Sequence, residues 1–227
     1  AHAIAEQHGV AFSCMPKPFA DAPGSGLHFH LSVTNAQGEA IFTNLADPLQ
    51  ISPTGYAFVA GLLHHADALC ALCAPTVNSY KRLACSHSAS GTTWAPVWKA
   101  FGDNNRTCLV RTVAGRLELR LPDPSCNVYA AIAATLAAGL DGVDSGLQPP
   151  QVCNEDLYER FASGQPMPTR LPADLAQAMD ALADDQVLMD ALGVAFCQQF
   201  IEIKRREWSD YAQTVSQWEL QRYADAF

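Results

Sequence analysis

The chain has 227 residues, 49% apolar and only 16% charged, which excludes a disordered chain and allows one large domain or two small ones with a sizeable core. No stretch reaches the roughly 18 consecutive apolar residues that a membrane-spanning helix needs, and no basic segment precedes an apolar run as in a signal peptide. The net charge of −9 argues against nucleic-acid and anionic-membrane partners.

In chain order, residues 1–8 read as the end of a helix, capped by Gly9. The chain begins inside this pattern without Met, so its natural start is expected upstream. Val10–Cys14 is a short strand candidate, and residues 21–26 form a Gly-rich loop. Residues 27–33 alternate strictly, placing Leu27, Phe29, Leu31 and Val33 on one face and His28, His30 and Ser32 on the other. With a turn at 35–39 and a returning strand at 40–43, this predicts a β-hairpin. Residues 52–74 predict one long amphipathic helix with Pro53 in its first turn. Residues 83–105 lack periodicity and read as a long loop. Two strands, 107–113 and 116–121, meet at Ala114-Gly115, and an Ala-rich helix over 127–140 ends at Asp141-Gly142. Residues 143–171 form a connection, and 172–225 predict about three helices with a break at Gly193.

The eight cysteines form no dense framework and read as reduced thiols of a cytoplasmic protein. Cys70 and Cys73 make a CxxC, but inside a helical run, where packing is the default reading.

Two strands carry the chemistry. His28, His30 and Ser32 share one polar face; Arg116, Glu118 and Arg120 share another, opposite Leu117, Leu119 and Leu121. Cross-strand ion pairs on an open sheet would look the same. Imidazole and carboxylate together suit a divalent cation, and neighbouring arginines suit phosphate and carboxylate oxygens. Charge distribution agrees: residues 68–122 hold Lys81, Arg82, Lys99, Arg106, Arg111, Arg116 and Arg120 against only Asp103 and Glu118, in an otherwise acidic chain. A basic island suggests a small anionic ligand; scattered solvated charges are the bland alternative. Metal, phosphate and carboxylate binding together would mean ATP-dependent activation of an acid, on a scaffold without a P-loop.

Several runs, in order along essentially the whole chain, resemble the C-terminal catalytic part of glutamine synthetases. They are Met15-Pro16-Lys17-Pro18-Phe19, residues 24–32 (GSGLHFHLS), residues 78–83 (NSYKRL), Asn105-Arg106 with Arg111, residues 116–123 (RLELRLPD), Asn127-Val128-Tyr129 and residues 137–142 (AAGLDG). The resemblance implies an α+β fold: an antiparallel sheet with an active-site face, packed by helices. Residues 1–150 would form the sheet-bearing core and 151–227 a helical C-terminal segment. It implies an ATP-dependent ligase that joins glutamate to ammonia or an amine through a γ-glutamyl phosphate. By that resemblance His28 and Glu118 would ligate Mg²⁺ or Mn²⁺, and His30 and Arg111 would contact ATP phosphates, with Ser32 and Arg116 nearer the nucleoside. Gly24, Arg82, Arg106 and Arg120 would hold glutamate and its developing phosphate, Arg106 as a catalytic group. The family assembles as dodecamers, so a homo-oligomer is expected.

The family's N-terminal β-grasp domain and the first part of its catalytic domain, with most metal-binding carboxylates, are not in this sequence, so the 227 residues alone are expected to be inactive. Pro23 stands where ammonia-using members carry an Asn. Leu83–Gly102 contains no acid where such members place a Glu in a flap, although His87 could serve as a base. The run SGTTWAP (90–96) and the C-terminal Glu207-Trp208 and Ser216-Gln217-Trp218-Glu219 resemble the γ-glutamylmethylamide synthetase-like branch, which implies an alkylamine acceptor. A polyamine or other amine ligase of the same fold, or a non-catalytic scaffold or amino-acid binding module, are the rival readings. Tyr158 sits where some bacterial members are adenylylated; an ordinary exposed tyrosine is the alternative.

Overall fold

A computed structural model describes residues 1–84 and 94–226. His87 and Cys85 therefore lie outside the described residues. Four short strands, β1 (Phe29–Leu31), β2 (Phe101–Asp103), β3 (Val110–Val113) and β4 (Arg116–Leu119), form one sheet in the order β1-β4-β3-β2. β3 and β4 are antiparallel around Ala114 and Gly115, both at positive φ, the two-residue turn whose twist matches the strands it joins. β1 runs antiparallel to β4, with Phe29 opposite Leu119 and Leu31 opposite Leu117.

Four expectations are corrected. The sheet is mixed, because β2 pairs parallel to β3. β2 lies within the segment expected to be loop; three residues are too few for a visible period. The hairpin of 27–33 with 40–43 does not form: β1 pairs with β4, and only an isolated bridge joins Thr34 to Ala40. In that pairing Phe29 and Leu31 stand opposite Leu119 and Leu117, which are fully buried. Residues 10–14 form no strand.

Helix α1 (His2–Gln7) buries nothing. α2 (Pro53–His64) starts where predicted: Ser52 accepts a hydrogen bond from the Gly55 amide at 3.1 Å, and Pro53 occupies the first turn. The expected single helix breaks at His65, and α3 (Ala66–Cys73) leaves at 73°. His65 is buried, with Nδ1 2.6 Å from Asp185 and Nε2 3.1 Å from Asp141, so the bend places its ring between two other helices. Cys70 and Cys73 are buried on α3, and burial pushes both thiols up, as packing residues rather than reactive ones. α4 is a short turn, Ser79–Arg82.

α5 (Val128–Asp144) is capped by Asn127, which accepts from the amides of Tyr129 and Ala130. It continues a turn past the predicted stop. Gly142 is not a terminator but a contact: a Cβ there would lie 2.2 Å from the Ala57 carbonyl of α2. α6 (Leu157–Ala162) forms inside the expected connection, capped by Asp156. The C-terminal part holds α7 (Leu175–Asp184), α8 (Gln186–Leu192), α9 (Val194–Gln213) and α10 (Gln217–Tyr223), one helix more than expected. Gly193, at φ 93°, breaks the chain as predicted. The extra break falls at Asp185, which caps α8 through Leu188 N and also binds His65.

The main core lies between the sheet and α2, α3, α5, α7 and α8. Leu117, Leu119 and Leu121 are fully buried in it, and Leu27, Phe29, Leu31 and Val33 pack against it. Among the described residues no single helix is long and apolar enough to cross a membrane.

Candidate active site

The face of the sheet away from this core carries a row of side chains in register: His30 on β1 stands opposite Glu118 on β4, which stands opposite Arg111 on β3. Glu118 is 2% exposed and is the centre of the row. Its Oε2 accepts from Arg111 Nη1 at 2.8 Å; its Oε1 accepts from Arg120 Nη1 at 2.8 Å and lies 2.9 Å from His28 Nδ1. Burial pushes the Glu118 carboxyl up, but the Arg111 hydrogen bond and the charges of Arg120 and His28 more than offset it, so the group stays ionised. His28 is pulled down to about 4, first by burial and then by the Arg120 charge, and is neutral near pH 7. A 2.9 Å contact between a neutral ring and an ionised carboxylate places the proton on Nδ1 and leaves the Nε2 lone pair for a ligand.

Beside this cluster lies a cavity of about 190 Å³, lined by Lys17, Gly24, Gly26, His28, Arg82 and Arg120 together with Pro23, Trp94 and Ala95. Close approach requires Gly24 and favours Gly26. A Cβ on Gly24 would meet the Pro16 carbonyl at 2.6 Å, and one on Gly26 would meet Arg82 Nη2 and His28 Nε2 at 3.0 Å. Arg82 is 5% exposed and is fixed by the last carbonyls after β4, donating from Nη1 to Leu121 O at 2.8 Å and from Nη2 to Arg120 O at 3.0 Å. Arg120 Nη2 also donates to Trp94 O at 3.2 Å.

Of the residues singled out from sequence, His28, Gly24, Arg82 and Arg120 meet at the cavity, with Glu118 and Arg111 directly behind it. Arg106 is exposed and reaches the same place indirectly: its guanidinium stacks 5.5 Å from the ring of Trp94. His30 stands in the Glu118 row but is exposed, and Ser32 and Arg116 are exposed beyond it; none of the three lines the cavity. Two members of the basic island serve elsewhere: Lys99 pairs with Asp67 at 2.5 Å, and Lys81 lies 5.5 Å from the Tyr211 ring centre. On the Arg116-Glu118-Arg120 face, Glu118 and Arg120 are buried and only Arg116 is exposed. Tyr158 is half-buried and donates to Ala95 O at 2.5 Å, rather than projecting into solvent.

Sequence reading missed Lys17, Trp94 and Asn104. Asn104 accepts from Arg111 Nε at 3.0 Å and from its Nη2. Lys17 carried a signal, a lysine between two prolines inside a recognised run, but nothing local says where its stem points.

Comparison with known proteins gives the family. The catalytic-domain model of glutamine synthetase matches residues 1–223, and the chain belongs to that family. It is 45% identical over 99% of its length to a glutamate–methylamine ligase of Methyloversatilis universalis, and 43% identical to a glutamine synthetase of Halobacterium salinarum. A solved structure described as a GmaS/ADP complex superposes with a TM-score of 0.91 over 99% of this chain, at 45% identity. The chain spans about half the length of these relatives: 51%, 50% and 52% respectively.

Proposed function

We propose that these residues form the C-terminal half of the catalytic unit of an ATP-dependent ligase that joins glutamate to an amine through a γ-glutamyl phosphate. The observation that carries this reading is the convergence of Arg82, Arg120 and His28 on one cavity, with the ionised Glu118 behind them. In the first step a γ-carboxylate oxygen of glutamate attacks the terminal phosphorus of ATP and ADP leaves. In the second, the amine nitrogen attacks the acyl carbon, inorganic phosphate leaves and a proton is lost from nitrogen. Both steps concentrate negative charge on oxygens, which fixed guanidinium groups stabilise without reorganising. Arg82 and Arg120, with the Gly24 backbone, would hold glutamate and the phosphoryl oxygens, and Arg106 would approach from the Trp94 side as the catalytic cation. Arg111 and His30 would face the ATP phosphates, with Ser32 and Arg116 further along the same face toward the nucleoside.

The donor types here, a neutral imidazole and an ionised carboxylate, suit a divalent cation, Mg²⁺ or Mn²⁺, although His28 faces Glu118 Oε1 through Nδ1 at 2.9 Å and so turns Nε2 away from it. His28 and Glu118 would hold it, and it would neutralise charge on the transferred phosphoryl group. Two donors are one edge of a coordination sphere; among the described residues no group of three forms a site. The remaining ligands would come from outside these residues, and so we infer that the chain alone is inactive.

The similarity to a glutamate–methylamine ligase, together with an acid-free 83–102 segment, favours an alkylamine over ammonia as acceptor. Assembly into a homo-oligomer in the cytoplasm is part of the same reading; the seven described cysteines are all free. The test is phosphate release from ATP and glutamate with a panel of amines, using the full natural gene product that contains this sequence. Methylamine should exceed ammonia. Equal or greater use of ammonia would sink the alkylamine assignment, and no glutamate-dependent release with any amine would sink the ligase reading.

A further inference from the structure

The cavity wall contains a cation that the proposed reaction has not used. Lys17 is 8% exposed and lines the cavity beside Gly24, Arg82 and Arg120. Its position is held on both sides. The Lys17 amide donates to Asn78 Oδ1 at 2.8 Å and its carbonyl accepts from Asn78 Nδ2 at 3.0 Å, which pins residue 17 to the turn that begins α4 and carries Arg82. The Ser25 amide donates to Pro16 O at 2.8 Å, so residues 16–25 close on themselves around the stem.

At its tip, Nζ donates to the Ala22 carbonyl at 2.5 Å, and among the described residues it has no other hydrogen bond and no carboxylate within 4 Å. An ammonium group has three donors and one full charge. Placing it out of water with one neutral acceptor is costly unless something else supplies the counter-charge. Among the described residues the cavity lining supplies none: it holds Lys17, Arg82 and Arg120 and no Asp or Glu. Glu118, the carboxylate behind the wall, is already shared by Arg111, Arg120 and His28.

We infer that Lys17 is an anion-binding residue of this cavity, its ammonium contacting a carboxylate or phosphoryl oxygen of the bound ligand. The inference rests on the proposed function only for the identity of that ligand; the demand for an oxyanion follows from the cavity itself. Lys17 differs from the arginines in kind. Arg82 and Arg120 are planar forks held by backbone carbonyls, whereas an ammonium on a flexible stem can follow an oxygen as it moves or gains charge.

The test is calorimetric titration of the 227-residue chain with L-glutamate and, separately, with inorganic phosphate, at low ionic strength. Lys17→Met should weaken binding by about tenfold or more, as expected when a charge-assisted hydrogen bond is lost. Lys17→Arg should stay within about threefold, and Lys81→Met, which removes a cation outside the cavity, should change nothing. The two titrations distinguish a carboxylate ligand from a phosphoryl one. A second readout does not depend on Lys17→Met folding. The chain has four lysines (17, 81, 99 and 204), so isotopically labelled reductive methylation gives a small set of signals, with the Lys17 signal assigned through Lys17→Arg. That signal should shift on adding the anion, with the same midpoint as the calorimetry. Undiminished binding by folded Lys17→Met, an unmoved Lys17 signal, or a wild-type chain that binds neither anion would each overturn the inference. Failure of the ligase reading appears separately, as absent phosphate release from the gene product while anion binding at Lys17 persists.

Discussion

Two buried charge clusters organise this molecule, and they are opposite in sign. At the sheet, one carboxylate, Glu118, is surrounded by His28, Arg111 and Arg120. At the junction of α2, α3, α5 and α8, one imidazole, His65, is gripped by two carboxylates, Asp141 and Asp185. The second cluster is closed: both ring nitrogens are bonded, and Asp185 also caps a helix. The first is open on one side, toward a cavity lined by Lys17, Arg82 and Arg120 and by no Asp or Glu. The difference separates a structural cluster from a binding one. The helical cluster is satisfied within the fold, whereas the sheet cluster borders a cavity that the proposed reading fills with an anionic ligand.

Breaking each cluster at its centre gives the largest effects. Glu118→Ala leaves the buried Arg120 and the half-buried Arg111 without their carboxylate and is expected to cost about 3–5 kcal/mol in urea unfolding. A loss below about 1 kcal/mol would show that water replaces the carboxylate. Asp185→Ala removes a helix cap and one partner of His65 together, with an expected loss of about 2–3 kcal/mol by the same measurement. Gly26→Ala sharpens the contrast from the cavity side. Its methyl group would press on Arg82 and His28, so anion binding should weaken several-fold while the urea midpoint moves little.

The clusters also differ in response to pH. At His65, burial lowers the imidazole pKa, but its hydrogen bonds to the Asp185 and Asp141 carboxylates raise it by more, so the net shift is upward. A raised folded value means that its stabilisation is fully present below the unfolded value near 6.5 and is lost as pH rises through the folded value. Burial pushes the Asp185 carboxyl up, yet the His65 bond and the Leu188 amide hold it below the usual range, so its contribution disappears only as pH falls through that depressed value. Unfolding midpoints should therefore decline from pH 6.5 upward, and His65→Gln should flatten that decline; an unchanged slope would refute the assignment. The smallest effect belongs to the surface. Arg205 and Asp180 pair at 2.6 Å with both side chains at least half exposed, and Arg205→Ala should cost less than about 1 kcal/mol.

Much of this was legible in the sequence where a period or a cap is local. The alternation at 27–33 and 116–121 gave the two faces of β1 and β4, Ser52-Pro53 gave a helix start, and Gly193 a break. What stayed hidden depends on distant partners. The bend at His65 is set by Asp141 and Asp185, 76 and 120 residues away. The continuation of α5 through Gly142 depends on the approach of α2. The partner of β1 lies nearly ninety residues downstream rather than across the nearest turn. At the site, side chains on one strand face were readable as a group, but Lys17, brought in by a loop, and Trp94, which links Arg106 to Arg120, were not.

The parallel strand β2 sits at the margin of the sheet, and such margins are templates for unwanted pairing between molecules. Here later chain lies over this margin and the segment leading into it. The Cys153 amide donates to Phe101 O at 2.8 Å. Residues 169–171 run beside 97–99, with Lys99 N bonded to Thr169 O, a bridge between Trp98 and Arg170, and Leu171 N bonded to Val97 O. A polypeptide cut between α5 and α7 would keep every strand yet uncover this margin, and it would be expected to self-associate. The stretch of residues 150–171, without a strand of its own, thus acts as a guard on solubility.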